Sequence, residues 1–214
     1  MNIATCQGFI FDVDATLVNT TRVINNIWKI WASQKGIEFS EIYPHVHGRK
    51  IIETLTLVDP QYSNVDEEKA VKDIAVHAMK SATEIEGALN FVKSIPKYSW
   101  AIATSGPRKV AETSLLASGF ELPDSMVCAE DVTYGKPHPD PFILAAKSLG
   151  LDPQSCIAFE DSPVGIKSAK DAGCFTIALL TSHKKSDLAL ADLIVDSFSV
   201  LSIRQNNAVY ELSW

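Results

Sequence analysis

What this sequence lacks narrows its function first. No apolar run approaches the roughly 20 residues that cross a bilayer. The N-terminal M-N-I-A-T-C-Q-G also lacks the basic, then hydrophobic, then small-residue order of a secretory leader, so a cytoplasmic location is the expectation. Positive charge is in deficit, with a formal net charge of −7. Neither nucleic acid nor an anionic membrane is therefore expected as a partner, because both need concentrated basic residues. Small anionic ligands stay open, provided positive charge gathers locally. The four cysteines, Cys6, Cys128, Cys156 and Cys174, have no C-x-x-C spacing. Each lies in or beside a strand-like segment, which predicts buried free thiols rather than a disulfide or a zinc site. Internal repeats and low-complexity segments are absent as well.

What is present is enough for a sizeable core. With 214 residues, 46% of them hydrophobic, the chain can form one domain plus a modest insertion. It is organised around Gly8 to Leu17, which reads G-F-I-F-D-V-D-A-T-L. Phe9, Ile10 and Phe11 make the apolar run of a strand buried on both faces. That run ends in two carboxylates, Asp12 and Asp14, which extended backbone would start toward one side. Acids at the carboxyl end of a strand stand where open parallel sheets place their active sites.

Helical periodicity dominates the next stretch. Val23, Ile24, Ile27, Trp28 and Trp31 recur on one face, and Gly36 follows as a terminator, predicting an amphipathic helix over 22–34. Further helices are expected over 41–46, 50–57 and 66–85, the last with an acidic, capped start at Asp66. No strand signal is read between residues 19 and 86. After Gly87, strands at 100–104, 126–129, 156–159 and 175–180 alternate with helices at 89–94, 108–118, 141–149 and 164–172. This order implies βα units, right-handed crossovers and a parallel sheet. The tail holds a strand at 193–195 and a hairpin, 201–204 against 209–212, turning at Asn206-Asn207.

Chemistry-bearing residues stand where these strands end. In I-A-T-S-G, Thr104, Ser105 and Gly106 lead from strand to helix, where a hydroxyl and backbone N–H groups make an anion cradle; a plain capped turn is the alternative. In Y-G-K-P-H-P-D-P, Lys136 sits between Gly and Pro and can be aimed at a fixed point. His138 is ambiguous there, and Asp140 is expected to cap the helix that begins near Pro141. In C-I-A-F-E-D-S-P-V-G-I, Glu160 and Asp161 end an apolar strand and Ser162 enters a helix. Within the helical block, H-V-H-G-R-K places Gly48, Arg49 and Lys50 between two helices, and no metal site at His45 and His47 is expected.

The Asp-x-Asp-x-Thr of Asp12 to Thr16, the Thr-Ser-Gly turn, the Lys136 loop and the Glu-Asp-Ser-Pro stretch occur in the order of the four motifs of the haloacid-dehalogenase-like phosphatases. The chain resembles that family over nearly its whole length. The resemblance implies an α/β fold with a Rossmann-like parallel-sheet core, residues 1–18 and 87–214, and an inserted helical cap, residues 19–86. It makes Asp12 the nucleophile, Asp14 the acid/base and Lys136 the bridge between nucleophile and phosphate, with Thr104, Ser105 and Gly106 also binding phosphate. Four carboxylates would then gather around one lysine, and two unit charges about 4 Å apart cost roughly 4 kcal/mol at an effective dielectric near 20. A hard divalent cation, Mg²⁺, is therefore expected on Asp12, the main-chain carbonyl of Asp14 and Asp161, with Glu160 bound directly or through water. Gly48, Arg49 and Lys50 of the cap are expected to set specificity, ordinary exposed charges being the alternative for the two cations.

Within the family the motifs are similar to sugar, hexitol and glycerol-phosphate phosphatases. They imply a monomeric enzyme acting on a small phosphorylated metabolite, a sugar or polyol phosphate. A mutase of the β-phosphoglucomutase type and a catalytically silent relative are the alternatives. Two positions depart from the family pattern: Ala15 replaces a usual Gly, so the turn either keeps φ negative or carries strain, and Asn19 stands where Asp often follows.

Overall fold

The structure, a computed structural model, describes residues 2–214. Strands β1 (Ile3–Cys6), β2 (Gly8–Phe11) and β3 (Val18–Asn19) open the chain. Helices α1 (Thr21–Lys35), α2 (Phe39–Ile42), α3 (Ile51–Val58) and α4 (Val65–Ala78) follow, and β4 (Thr83–Glu84) returns to pair antiparallel with β3. Alternation then sets in: α5 (Ala88–Lys93), β5 (Trp100–Ala103), α6 (Arg108–Ala117), β6 (Met126–Val127), α7 (Asp140–Ser148) and β7 (Cys156–Glu160). The chain closes with α8 (Pro163–Ala172), β8 (Phe175–Leu179), β9 (Leu193–Val195) and the hairpin β10 (Ser202–Asn206) and β11 (Val209–Ser213).

Six strands form one parallel sheet in the order β6-β5-β2-β7-β8-β9. This is the expected α/β architecture. β2 has later strands on both sides, so the chain winds away in two directions from it and leaves a crevice at its carboxyl end. Alternation along β2 sends Phe9 and Phe11 to one face and Ile10 to the other. On the first face an aromatic layer forms, with Phe11 and Phe159 stacked at 4.9 Å and Phe91 and Phe198 5.0 Å apart. On the second, Ile10 meets small residues, Ala101, Ala103, Ala145, Ala146, Ala158 and Ala169, which let helices approach the sheet closely.

Helices α1 to α4 surround a cluster of their own, built on Ile27, Trp28, Trp31, Ile42, Leu55, Val71, Ala75 and Met79, which Val110 of α6 joins. Trp28 and Trp31 meet edge to face at 5.7 Å inside it. The Trp31 indole N–H donates to Glu67 at 2.9 Å, and Lys35 pairs with the same carboxylate. Among the described residues no helix is long and apolar enough to cross a membrane. All four cysteines are free and buried, and burial pushes each thiol up to about 12.

Several expectations are corrected. Residues 19–86 do contain strand: Asn19 and Thr83–Glu84 belong to the β3–β4 ladder, whose two-residue strands are too short to give a periodic signal. The helix expected over 66–85 ends at Ala78 and tightens into a 3₁₀ turn over Met79–Ser81. β1 was not expected, and with β11 and β10 it forms a separate antiparallel sheet. The hairpin turns at Asn207-Ala208, one residue later than the expected Asn206-Asn207, and Asn207 has a φ of 55°.

The turn that leaves β2 takes the strained branch foreseen for Ala15. Its φ is +57°, held by its N–H donating to the Val18 carbonyl at 2.7 Å and the Thr20 hydroxyl at 3.2 Å. A left-handed Ala costs about 1–2 kcal/mol, which exceeds the roughly 0.5–1 kcal/mol of unfolded-state entropy that a Gly adds. Ala15→Gly is expected to raise stability by about 0.5 kcal/mol, read as a higher urea midpoint.

Glu67 supplies a second test. The hydrogen bond from Lys35, reinforced by Trp31, holds its carboxyl below the usual range. A depressed carboxyl stabilises fully above its unfolded value and loses that contribution as pH falls through the folded one. Glu67→Gln should cost about 1 kcal/mol near pH 7, with the gap from the parent closing in urea melts as pH falls below the ordinary carboxyl range.

Candidate active site

Past Phe11 the strand continues for one residue, since the Asp12 N–H donates to the Phe159 carbonyl at 3.0 Å. This fixes the Asp12 carboxylate, 6% exposed, at the crevice. Lys136 arrives from the loop before α7 with 1% exposure, and its Nζ lies 2.5 Å from both Asp12 Oδ1 and Glu160 Oε1. It also stands 5.1 Å from the centre of the Phe142 ring, a cation–π contact. Burial alone would strip the charge from Lys136, but the facing carboxylates outweigh it and raise its pKa.

Glu160 is committed on both oxygens. Oε1 takes Lys136, while Oε2 accepts from the N–H groups of Asp161 at 2.9 Å and Ser162 at 3.0 Å and from the Ser162 hydroxyl at 3.0 Å. Gly165 is what makes room for it, since a Cβ there would overlap the Glu160 carboxylate. Asp161 takes a bond from Thr16 at 3.4 Å and one from Ser182, whose hydroxyl also lies 2.6 Å from His183 Nδ1. Asp12, Glu160 and Asp161 each offer one oxygen, all within 4.8 Å of one another, a set that could hold a cation. Burial pushes Asp12 and Asp161 well above the carboxylate range, with Lys136 pulling the other way. Asp14 is raised by burial too, against the Thr20 hydroxyl and Lys136.

Thr104 is held by its N–H to the Val127 carbonyl at 2.9 Å, and its hydroxyl accepts from the Gly106 N–H at 3.0 Å. The Ser105 hydroxyl turns instead to the Gly48 carbonyl at 2.9 Å, tying α6's leading turn to the cap. Asp12, Asp14, Thr104, Ser105, Gly106 and Asp161 line one cavity of about 80 Å³, together with Gly48 and Arg49. The structure thus brings these sequence-predicted residues around one space. Lys136 and Glu160 stand behind Asp12.

Lys50 differs from the expectation. It is neither exposed nor part of the cavity wall: its ammonium donates to the Val132 carbonyl at 2.6 Å and the Thr133 carbonyl at 3.4 Å, pinning the cap to the loop that carries Lys136. Asp140 is also corrected, since it occupies the first turn of α7 without a capping hydrogen bond and complements the helix dipole instead. Sequence reasoning passed over Ser182 and Gly165, and weighed His47 only as a metal ligand, not as a pocket residue. The ring of His47, 3.2 Å from Asn25 Oδ1, is held down to about 4 by burial and by His183. No local pattern marks these three, because each matters only through a distant neighbour.

Comparison with known proteins bears on this geometry. Residues 9–179 match the family described as haloacid dehalogenase-like hydrolase. Hexitol phosphatase A of Escherichia coli is 33% identical over 203 residues, 92% of this chain and 94% of that protein. 2-Deoxyglucose-6-phosphate phosphatase 2 of Saccharomyces cerevisiae is 32% identical over 224 residues, covering 92% and 90%. The crystal structure of a β-phosphoglucomutase from Clostridium difficile superposes with a TM-score of 0.77 at 24% identity, over 90% of this chain and 91% of that one, a likeness of fold. A match that spans β2 to β8 and takes in all the strand ends just described places the chain in one family: it belongs to the haloacid dehalogenase-like hydrolases.

Proposed function

We propose that this protein is a Mg²⁺-dependent phosphatase that hydrolyses a small sugar or polyol phosphate through an aspartyl-phosphate on Asp12. The observation that carries the reading is the Asp12 carboxylate, buried and gripped by Lys136 at 2.5 Å, facing a cavity it shares with Asp14. Hard carboxylate oxygens suit a hard cation. Asp12, Asp161 and the Asp14 carbonyl would hold Mg²⁺, which when bound offsets negative charge on the phosphoryl oxygens. Glu160, whose oxygens already serve protein donors, holds Lys136 in this reading.

An Asp12 oxygen attacks phosphorus in line, and the bond from phosphorus to the alcohol oxygen breaks. Asp14 enters this step protonated, as its burial favours, and delivers its proton to the departing oxygen. Water then loses a proton to the Asp14 carboxylate, attacks phosphorus, and frees Asp12 and inorganic phosphate. The Thr104 hydroxyl, whose own proton is free to point at phosphate, stabilises charge on the transferring oxygens, and Lys136, behind Asp12, steadies the nucleophile and adds positive charge to the site. Ser105 contributes through its backbone N–H, since its hydroxyl is bound to Gly48. A mutase would use the same residues and return the phosphoryl group to a sugar. The phosphatase names of the relatives above favour water as acceptor.

Asp12→Asn is expected to lower phosphate release by at least about 10³-fold, and Asp14→Asn by about 10²–10⁴-fold, with unchanged circular dichroism. Full activity in Asp12→Asn would remove the assignment. Excess EDTA should abolish turnover of hexitol phosphates and added Mg²⁺ restore it. Given β-glucose 1-phosphate, the enzyme should release inorganic phosphate; glucose 6-phosphate as the product would establish the mutase instead.

A further inference from the structure

The stretch that leaves β8 takes no part in the proposed reaction, yet it touches both of the strand ends that carry the aspartates. β8 lies beside β7 with Ala178 opposite Glu160, so the chain emerging from it passes next to Asp161. Two successive side chains then reach different turns. The Thr181 hydroxyl donates to the Ala15 carbonyl, in the turn after β2, and the half-buried Ser182 hydroxyl lies against Asp161 Oδ2. The other Asp161 oxygen, Oδ1, has the Thr16 hydroxyl at 3.4 Å, near the outer limit for a hydrogen bond. Ser182 is therefore the firmer hold on this carboxylate. Neither Ser182 nor His183 is among the residues that line the cavity, so any effect on the site passes through Asp161.

One hydrogen decides the direction of that contact. Ser182 Oγ has three neighbours within hydrogen-bond distance: Asp161 Oδ2, the Asp161 carbonyl at 3.1 Å and His183 Nδ1 at 2.6 Å. A hydroxyl has a single hydrogen to give, whereas an ionised carboxylate and a carbonyl can only accept. Asp161 must be ionised to hold a cation. With the serine hydrogen turned to His183, the serine oxygen would then meet that carboxylate with lone pairs facing. The arrangement free of this clash has His183 carrying its hydrogen on Nδ1 and donating to Ser182, which donates in turn to Asp161. Donors in series polarise one another inside a protein, so the imidazole N–H strengthens the bond that Ser182 makes.

We infer that Ser182, its hydrogen aimed by His183, is a positioning residue that holds the Asp161 carboxylate ready for a divalent cation. The inference rests on the metal assignment proposed for Asp161 and adds to it two residues that act through that side chain. Without Ser182 the carboxylate could turn about its terminal torsion, which is broad, and a cation would have to order it on binding. Removing such a partner from a metal-ligating group costs about 10- to 100-fold in metal affinity.

The test reads metal binding alone, without substrate. Mn²⁺, a paramagnetic cation that carboxylate oxygens also suit, is titrated into the full chain after EDTA treatment and dialysis, and free ion is counted by electron paramagnetic resonance. Ser182→Ala should weaken Mn²⁺ binding by about 10- to 100-fold, and Ser182→Thr, which keeps the hydroxyl, should bind as the parent does. His183→Phe keeps a ring without an N–H and should weaken binding by about 2- to 10-fold, the worth of one neutral hydrogen bond. His183→Asn, whose amide can donate from nearly the same place, should bind as the parent does. A loss under about tenfold in folded Ser182→Ala, or one that Ser182→Thr shares, overturns the inference, and a loss under about twofold in His183→Phe removes His183 from it. If the alanine variant does not fold, Ser182→Cys, whose thiol is only a weak donor, is judged by the same threshold. A parent that binds no Mn²⁺ sinks the metal reading of the site itself, whereas a parent that binds it no more tightly than Ser182→Ala sinks the positioning role alone.

Discussion

Lys136 is a full positive charge with 1% exposure, and the ends of two strands are arranged around it. An isolated ammonium in such a place would be prohibitively costly. It persists because Asp12 from β2 and Glu160 from β7 both reach it, and because a Phe142 ring covers one side. Glu160 in turn receives the first amides of the loop that leads into α8, so the same carboxylate that steadies the lysine also orders the backbone beside Asp161. Removing the lysine would leave two carboxylates facing one another in low dielectric. Gly165 belongs to this arrangement as much as any charged residue, since the space of its missing side chain is occupied by Glu160.

The parallel sheet was legible because its strands, buried on both faces, read as apolar runs that stop at acids or hydroxyls. That abrupt stop at Asp12, at Thr104 and at Glu160 is a property of chemistry placed at strand ends. Other features were not legible for equally physical reasons. β3 and β4 are two residues each, shorter than one period of alternation, and β1 becomes a strand only because β11 returns from the far end of the chain to pair with it. The direction of Lys50 depends on carbonyls at Val132 and Thr133 that no local pattern announces. Ser182 likewise acquires a role only when β8 delivers it to Asp161.

The α1–α4 block meets the rest of the chain through polar bonds to backbone and charged partners as well as through apolar packing. Ser105 binds the Gly48 carbonyl, Lys50 the Val132–Thr133 carbonyls, and Lys72 of α4 the Glu130 carboxylate at 3.1 Å. Each is individually modest, and the Lys72 pair is partly solvated and screened. Val110 of α6 carries part of the apolar packing, since it joins the cluster of α1–α4 directly.

The four cysteines carry a consequence of a different kind. Sulfur chemistry in proteins proceeds through the thiolate, and burial holds each of these groups near 12. At neutral pH almost none of the anion exists, and what little forms lies out of reach of peroxide or glutathione. At all four positions the folded protein therefore offers an oxidant almost no thiolate to attack.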